Sequence, residues 1–176
     1  MLIKIKKINQ NCITPSYAHP GDVGLDLFSL EDYELKPGES KIFFLGFALE
    51  FPTGYAAIVK DKGSLPKNGD VHTMGGVYDA GYRGEYNVHL INLGSKPYQI
   101  QKGNKIAQLL LIPVEFAEFE LTQNLSESPR GDGRFGSTGK WIWLRSKDRS
   151  IWANSNEQSR LRRRIFLTLA FIPPLF

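Results

Sequence analysis

The even scatter of turn chemistry along the chain constrains its fold more than any other feature. Pro20-Gly21, Lys36-Pro37-Gly38, Phe51-Pro52-Thr53-Gly54, Lys67-Asn68-Gly69, Gly94 and Lys102-Gly103 punctuate a series of short apolar runs. The runs are Gly24–Ser29, Lys41–Phe51, Tyr55–Lys60, Tyr86–Leu93 and Ile106–Val114. A β-like pattern opens the chain at Leu2, Ile3, Ile5 and Ile8, and Glu115–Leu121 alternates around Phe116 and Phe119. Almost no stretch before residue 140 repeats with the period of a helix. Short runs between frequent turns predict an all-β sandwich, jelly roll or barrel. The nearly continuous apolar face of Ile106–Ile112 predicts a strand buried on both sides.

At 176 residues the chain is expected to form one domain with a real core. The lone Cys12 excludes an internal disulfide and fits a reducing, cytoplasmic setting. No charged-then-apolar leader pattern opens the sequence, and no apolar run approaches the roughly 18 residues of a membrane span. The net charge of +4 hides an asymmetry. Residues 140–176 carry net +6, which leaves residues 1–139 at net −2. A mildly acidic body argues against non-specific nucleic-acid binding.

Composition changes at Lys140. Trp141, Trp143 and Trp152 all lie beyond it, followed by the basic run Arg162-Arg163-Arg164. Asn154–Ile172 has the spacing of an amphipathic helix, with Leu161, Ile165 and Leu169 on one face. A helix lying on an anionic membrane surface, a partner-binding segment and a solvated extension all fit this composition.

Two stretches carry chemistry. Arg130–Gly139 (RGDGRFGSTG) is too rich in glycine for a helix or strand interior. It combines arginine forks for phosphate, the adjacent hydroxyls of Ser137 and Thr138, and one ring, Phe135, for a base. Gly75–Gly84 (GGVYDAGYRG) reads as strand, turn, strand, with Asp79 at the bend and Tyr82 three residues on. Its glycines permit close approach of a ligand, and the Asp79 carboxylate can activate a water. The same residues also suit an ordinary turn that Asp79 and Gly81 merely shape.

Taken together, residues 1–139 resemble the trimeric dUTPase family through five motifs in order. Pro20–Ser29 matches A-G-x-D-L through Gly24, Asp26 and Leu27. Lys60–Pro66 takes the place of the second motif. Gly76–Gly84 stands against G-V-I-D-x-D-Y-R-G, Gly103–Leu109 against G-D-R-I-A-Q-L, and the arm 130–139 against R-G-x-G-G-F-G-S-T-G. The resemblance implies a distorted jelly-roll, sandwich-like barrel at 1–139 that includes the arm, with 140–176 as an extension. It implies hydrolysis of dUTP to dUMP and pyrophosphate, which limits uracil in DNA and supplies dUMP for thymidylate synthesis.

By that resemblance Asp79 would deprotonate the water that attacks the α-phosphorus. Lys62, Gly63, Ser64 and Gln108 would hold phosphates. A hairpin around Thr73–Tyr78, including Val77, would read uracil, and Tyr82 would lie under the deoxyribose. Arg130 would pair with the γ-phosphate, Phe135 would cap the base, and Gly136, Ser137 and Thr138 would donate to phosphate oxygens. Asp26 would support Asp79 or metal-bound waters. Mg²⁺ would be gripped mainly by the triphosphate and water, with no direct protein ligand. The assembly implied is a homotrimer whose sites are shared between subunits.

Three positions depart from the family pattern. Lys62-Gly63 stands where Arg-Ser is usual, with Ser64 one place later, and lysine does not replace a bidentate arginine conservatively. Arg134 replaces a glycine, which would be strained if that backbone needs positive φ. Asn104 stands for an aspartate. A dCTP deaminase of the same fold would need a general-base glutamate after the hairpin, and the chain has Tyr86-Asn87-Val88-His89 there. A non-catalytic dUTP-binding module is the other alternative.

Overall fold

The computed structural model describes residues 1–134. Residues Met1–Glu120 form one compact unit, and a second begins at Leu121. The expected boundary at 139/140 lies outside the described residues, as does the proposed helix at 154–172.

The regular structure of the first unit is almost all strand, as the turn spacing predicts. They are β1 (Lys4–Lys7), β2 (Leu25–Phe28), β3 (Tyr33–Leu35), β4 (Ser40–Phe44), β5 (Phe47–Glu50) and β6 (Tyr55–Lys60), then β7 (Val71–Met74), β8 (Val77–Asp79), β9 (Asn87–Asn92), β10 (Tyr98–Ile100) and β11 (Lys105–Pro113). They form a four-stranded sheet β2-β11-β6-β8, a three-stranded sheet β4-β9-β7, and the pairs β1-β5 and β3-β10. All named pairings are antiparallel.

The alternation of β9 explains how the sheets meet. Val88, Leu90 and Asn92 face inward and are buried, while Asn87, His89 and Ile91 between them are only half-buried. They join Leu27, Leu35, Phe43, Phe47, Val59, Tyr86, Ile106 and Leu109 in one core. Each such large apolar side chain contributes roughly 1.5–3 kcal/mol by leaving water. Asn92 is polar and fully buried, yet every group is satisfied. Its Nδ2 donates to the carbonyls of Leu35 and Lys96 at 2.8 and 2.9 Å, and its Oδ1 accepts from Gly94 N–H at 2.9 Å.

β11 departs from the expectation of burial on both faces. Ile106, Ala107 and Leu109 are buried, but Leu110 and Leu111 are half-buried and Ile112 is 40% exposed. The cause is length: β2 pairs with β11 only as far as Leu109. The alternating segment at Glu115–Leu121 is not a strand either, and Phe116 and Phe119 are exposed. Alternation favours a strand only where a partner strand and a surface to pack on exist.

The helix α1 (Ser64–Gly69) has no helical period to betray it. Leu65 anchors it in the core, and Pro66 is tolerated because its position lies in the first turn, where an N–H would lack a partner anyway. Lys67-Asn68-Gly69, read from sequence as a turn, is the end of this helix, and Asp70 closes it in the left-handed region (φ 52°). Asp70 is the one non-glycine among the described residues with positive φ.

Candidate active site

The order β2-β11-β6 brings three of the motifs together. Gln108 of β11 lies opposite Asp26 of β2 on one side and Lys60 of β6 on the other. Gln108 Nε2 donates to the carbonyl of Asp61 at 2.9 Å, which ties the fourth motif to the second. Gly24 makes that possible, because a Cβ there would collide with the Gln108 amide.

Asp26 is the charged centre of this group. Its side chain is 4% exposed, and Lys62 Nζ and Lys105 Nζ each stand 2.6 Å from one of its oxygens. Burial acts to raise its pKa, but the hydrogen bonds and charges of Lys105 and Lys62 outweigh it and hold the carboxyl below its ordinary value. Within one chain Asp26 is paired with two lysines. Lys62 and Lys105 border a cleft of about 410 Å³ that Ser64, Asn68 and Asn104 also line. Asn104 performs the turn-closing task open to an aspartate, with Oδ1 accepting from Gln101 N–H at 2.9 Å.

Asp61 has no place in the expected set, yet it joins the second motif to β7. Its Oδ1 accepts from the N–H and hydroxyl of Thr73 at 2.6 and 2.7 Å, and its Oδ2 lies 3.0 Å from His72 Nδ1. Burial pushes its pKa up, and these hydrogen bonds more than reverse the push. Thr73 thus spends both donors inside the chain. Nothing in sequence singles Asp61 out from its neighbours Lys60 and Lys62.

The third motif is arranged differently from the expected hairpin at Thr73–Tyr78. β7 and β8 belong to different sheets, β7 beside β9 and β8 beside β6. Gly75 and Gly76, at φ 66° and 92°, turn the corner between them. A Cβ at Gly76 would lie 2.8 Å from that of Val59. Asp79 ends β8, exposed, with no hydrogen bond or ion pair on its carboxylate among the described residues. The loop after it is self-tied. Tyr82 N–H donates to Asp79 O at 3.0 Å, and Arg83 Nη1 donates to the carbonyls of Ala80 and Tyr82 at 2.6 and 2.9 Å.

Three tyrosines stiffen this loop from below. Tyr78 stacks on the buried Tyr86 at 4.2 Å between centroids, and Tyr82 packs obliquely on both. Burial raises the pKa of Tyr78 and, further, of Tyr86, so both stay neutral. Tyr82 is 38% exposed and donates to Glu85 O, while Gly84 leaves room for its hydroxyl end. Val77 is exposed on the same strand as Asp79.

The two clusters stand apart. Asp79 pairs with Ala56 at one end of β6, and Gln108 pairs with Lys60 at the other. Four strand residues span about 13 Å. Arg130 lies in the second unit, where its Nε donates to Gly133 O at 2.9 Å. Phe135, Gly136, Ser137 and Thr138 lie outside the described residues. Among the described residues no three His, Cys, Asp or Glu side chains converge on a metal position.

The strand content and sheet arrangement define an all-β, jelly-roll-like class of protein. The dUTPase family model matches residues 10–139, and the chain belongs to that family. A Clostridium tetani deoxyuridine 5'-triphosphate nucleotidohydrolase is 44% identical over 140 residues, which cover 78% of this chain and 97% of that protein. The corresponding protein of Clostridioides difficile is 40% identical over 139 residues, covering 78% and 97%. A variant of the Staphylococcus bacteriophage 80alpha dUTPase, solved with dUpNHpp, superposes with a TM-score of 0.71 at 26% identity, over 78% of this chain and 98% of that one. The dUTPase of S. aureus phage phi11, whose structure concerns a structural Mg(II) ion, shares the fold at a TM-score of 0.66 and 22% identity, over 70% and 98%.

Proposed function

We propose that the protein hydrolyses dUTP to dUMP and pyrophosphate. One observation carries the reading: the first, second and fourth motifs converge around Gln108, while the exposed Asp79 stands at the far end of β6. Asp79 is the general base. Its carboxylate has no competing partner among the described residues, so it can accept the proton of a water aimed at the α-phosphorus. The leaving group is pyrophosphate, and the α-phosphoryl group goes to the water oxygen.

Gln108, braced by the Asp61 carbonyl, and the Lys62–Ser64 segment hold the phosphates. Tyr82 sits beneath the sugar, where its ring leaves no space for a 2′-hydroxyl. Backbone near Val77 reads the base edge. Mg²⁺, when carried in on the triphosphate, neutralises charge on the phosphate oxygens. Positioning of this kind supplies most of the rate in phosphoryl transfer.

The separation along β6 supports a site in which Asp79 and Gln108 reach the same α-phosphate from different chains. The site is therefore shared: Asp79 and Tyr82 from one copy, Lys62 and Gln108 from a second, and the arm 130–139 from a third, in a homotrimer. The arm supplies Arg130 for the γ-phosphate and Phe135 with Gly136–Thr138 for the base and phosphates, and its closure excludes other water.

The test is release of pyrophosphate from dUTP with Mg²⁺. Asp79→Asn is expected to lower kcat by about 10²–10⁴-fold, the usual worth of a general base, with little change in affinity. An Asp79→Asn enzyme as active as its parent sinks the mechanism. Conversion of dCTP to a uracil nucleotide would instead favour the deaminase chemistry.

A further inference from the structure

The strand β11 does not pair regularly with β2. Gln108 stands opposite Asp26 and Ala107 opposite Leu27, but Phe28 is met by Lys105. An unbroken register would put Ile106 there. The extra residue is a β-bulge, a device that re-aims a side chain. Phe28 and Asp26 are two residues apart and share a face of β2, so the bulge turns Lys105 onto the face that carries Asp26. Lys105 Nζ consequently lies 2.6 Å from Asp26 Oδ2, while Lys62 Nζ lies 2.6 Å from Oδ1.

We propose that Lys105 is a positioning residue that frees Lys62 to leave Asp26 for a substrate phosphate. The proposal rests on the dUTP-hydrolase reading of the site. A carboxylate that is 4% exposed cannot lose its only cation cheaply, because an uncompensated buried charge is left behind. With Lys62 alone, Asp26 would compete with the substrate for the ammonium. With Lys105 on its second oxygen, Asp26 stays neutralised when Lys62 swings away. Both lysine side chains keep access to solvent, at 29% and 42% exposure, and both border the same cleft. Lysine at 62 suits this exchange, since an ammonium on a flexible stem re-aims more readily than a bidentate guanidinium.

The experiment is steady-state hydrolysis of dUTP by parent, Lys105→Met, Lys105→Arg, Asp26→Asn and the double variant Asp26→Asn/Lys105→Met. Lys105→Met should raise KM about tenfold or more while kcat moves less than about threefold, the pattern of lost binding rather than lost chemistry. Lys105→Arg should stay within about threefold of the parent, because it keeps the charge on Asp26. In the Asp26→Asn background no carboxylate holds Lys62, so Lys105→Met should cost nothing further. The double variant buries no unpaired charge, so it is expected to fold even if Lys105→Met does not.

Additive losses in the double variant would mean that Lys105 contacts phosphate itself, and would overturn the proposal. So would an unchanged KM in a folded Lys105→Met. A parent that releases no pyrophosphate from dUTP refutes the function, not this exchange; dUpNHpp affinity measured by calorimetry across the same variants then gives the same readout. A structure with dUpNHpp bound should show Lys62 Nζ off Asp26 and Lys105 Nζ still on it. Lys62 remaining on Asp26 Oδ1 there ends the idea.

Discussion

At the scale of single residues, two kinds of position set the site: charged groups whose partners fix their state, and glycines that make room for them. Asp26 and Asp61 both sit in partly desolvated places, and each is kept ionised by donors from other segments of the chain. Gly24 acts by absence. A methyl group there would meet the Gln108 amide, whose end is flexible, so the side chain would turn aside rather than the backbone break. Gly24 has no positive φ, so alanine brings no backbone strain of its own. Gly24→Ala is therefore expected to cost only about 1 kcal/mol of stability, read from a denaturant melt, yet lower kcat/KM for dUTP by about tenfold or more. Normal activity in a folded Gly24→Ala would show that Gln108 need not hold the position it has beside Asp61. The role of Gly24 was legible in sequence only as part of a motif; that it clears space for Gln108 was not.

At the scale of elements, β6 and β11 do most of the arranging. β11 lies between β2 and β6, so the first and second motifs flank the fourth. The loop after β6 is fastened to β7 through Asp61 and to β2 through Lys62. These ties predict a pH dependence. Asp26 and Asp61 have folded pKa values below the ordinary 3.8. Their contribution is present above that value and disappears as pH falls through the lower folded values, since protons then bind more readily to the unfolded chain. Thermal midpoints should therefore fall as pH is lowered below about 4, and Asp61→Asn should flatten that part of the profile. A variant whose acid limb matches the parent would show that Asp61 contributes no linked stability. Sequence reading located β2, β6, β9 and β11 from apolar runs. It missed β3 and β10, each three residues long, because so short a strand carries too little alternation to register.

At the scale of the whole molecule, the distance between Asp79 and the Lys62–Gln108 group bears on whether the proposed site is shared between copies. If sites are shared, two inactive variants can repair each other. Asp79→Asn and Gln108→Ala subunits, unfolded and refolded together in equal amounts, should recover roughly a quarter of parent activity, the share of sites that draw both intact residues from different copies. Activity that stays at the level of the separate variants would mean that both residues act from one chain. No helix among the described residues is long and apolar enough to cross a membrane.

The sequence alone determined the all-β class, because strand runs and turn residues express local preferences of backbone and side chain. It also determined which residue types are available for phosphate, base and water, since the motifs are read along one dimension. Only the tertiary structure decided which of them meet. Strand order and register are non-local: nothing within 105–109 announces that a bulge will turn Lys105 toward Asp26, nor does Lys60–Lys62 reveal that Asp61 will fasten β7. The same pairing that joins Gln108 to Lys60 leaves Asp79 four residues away along β6, and that offset is a property of the folded sheet alone.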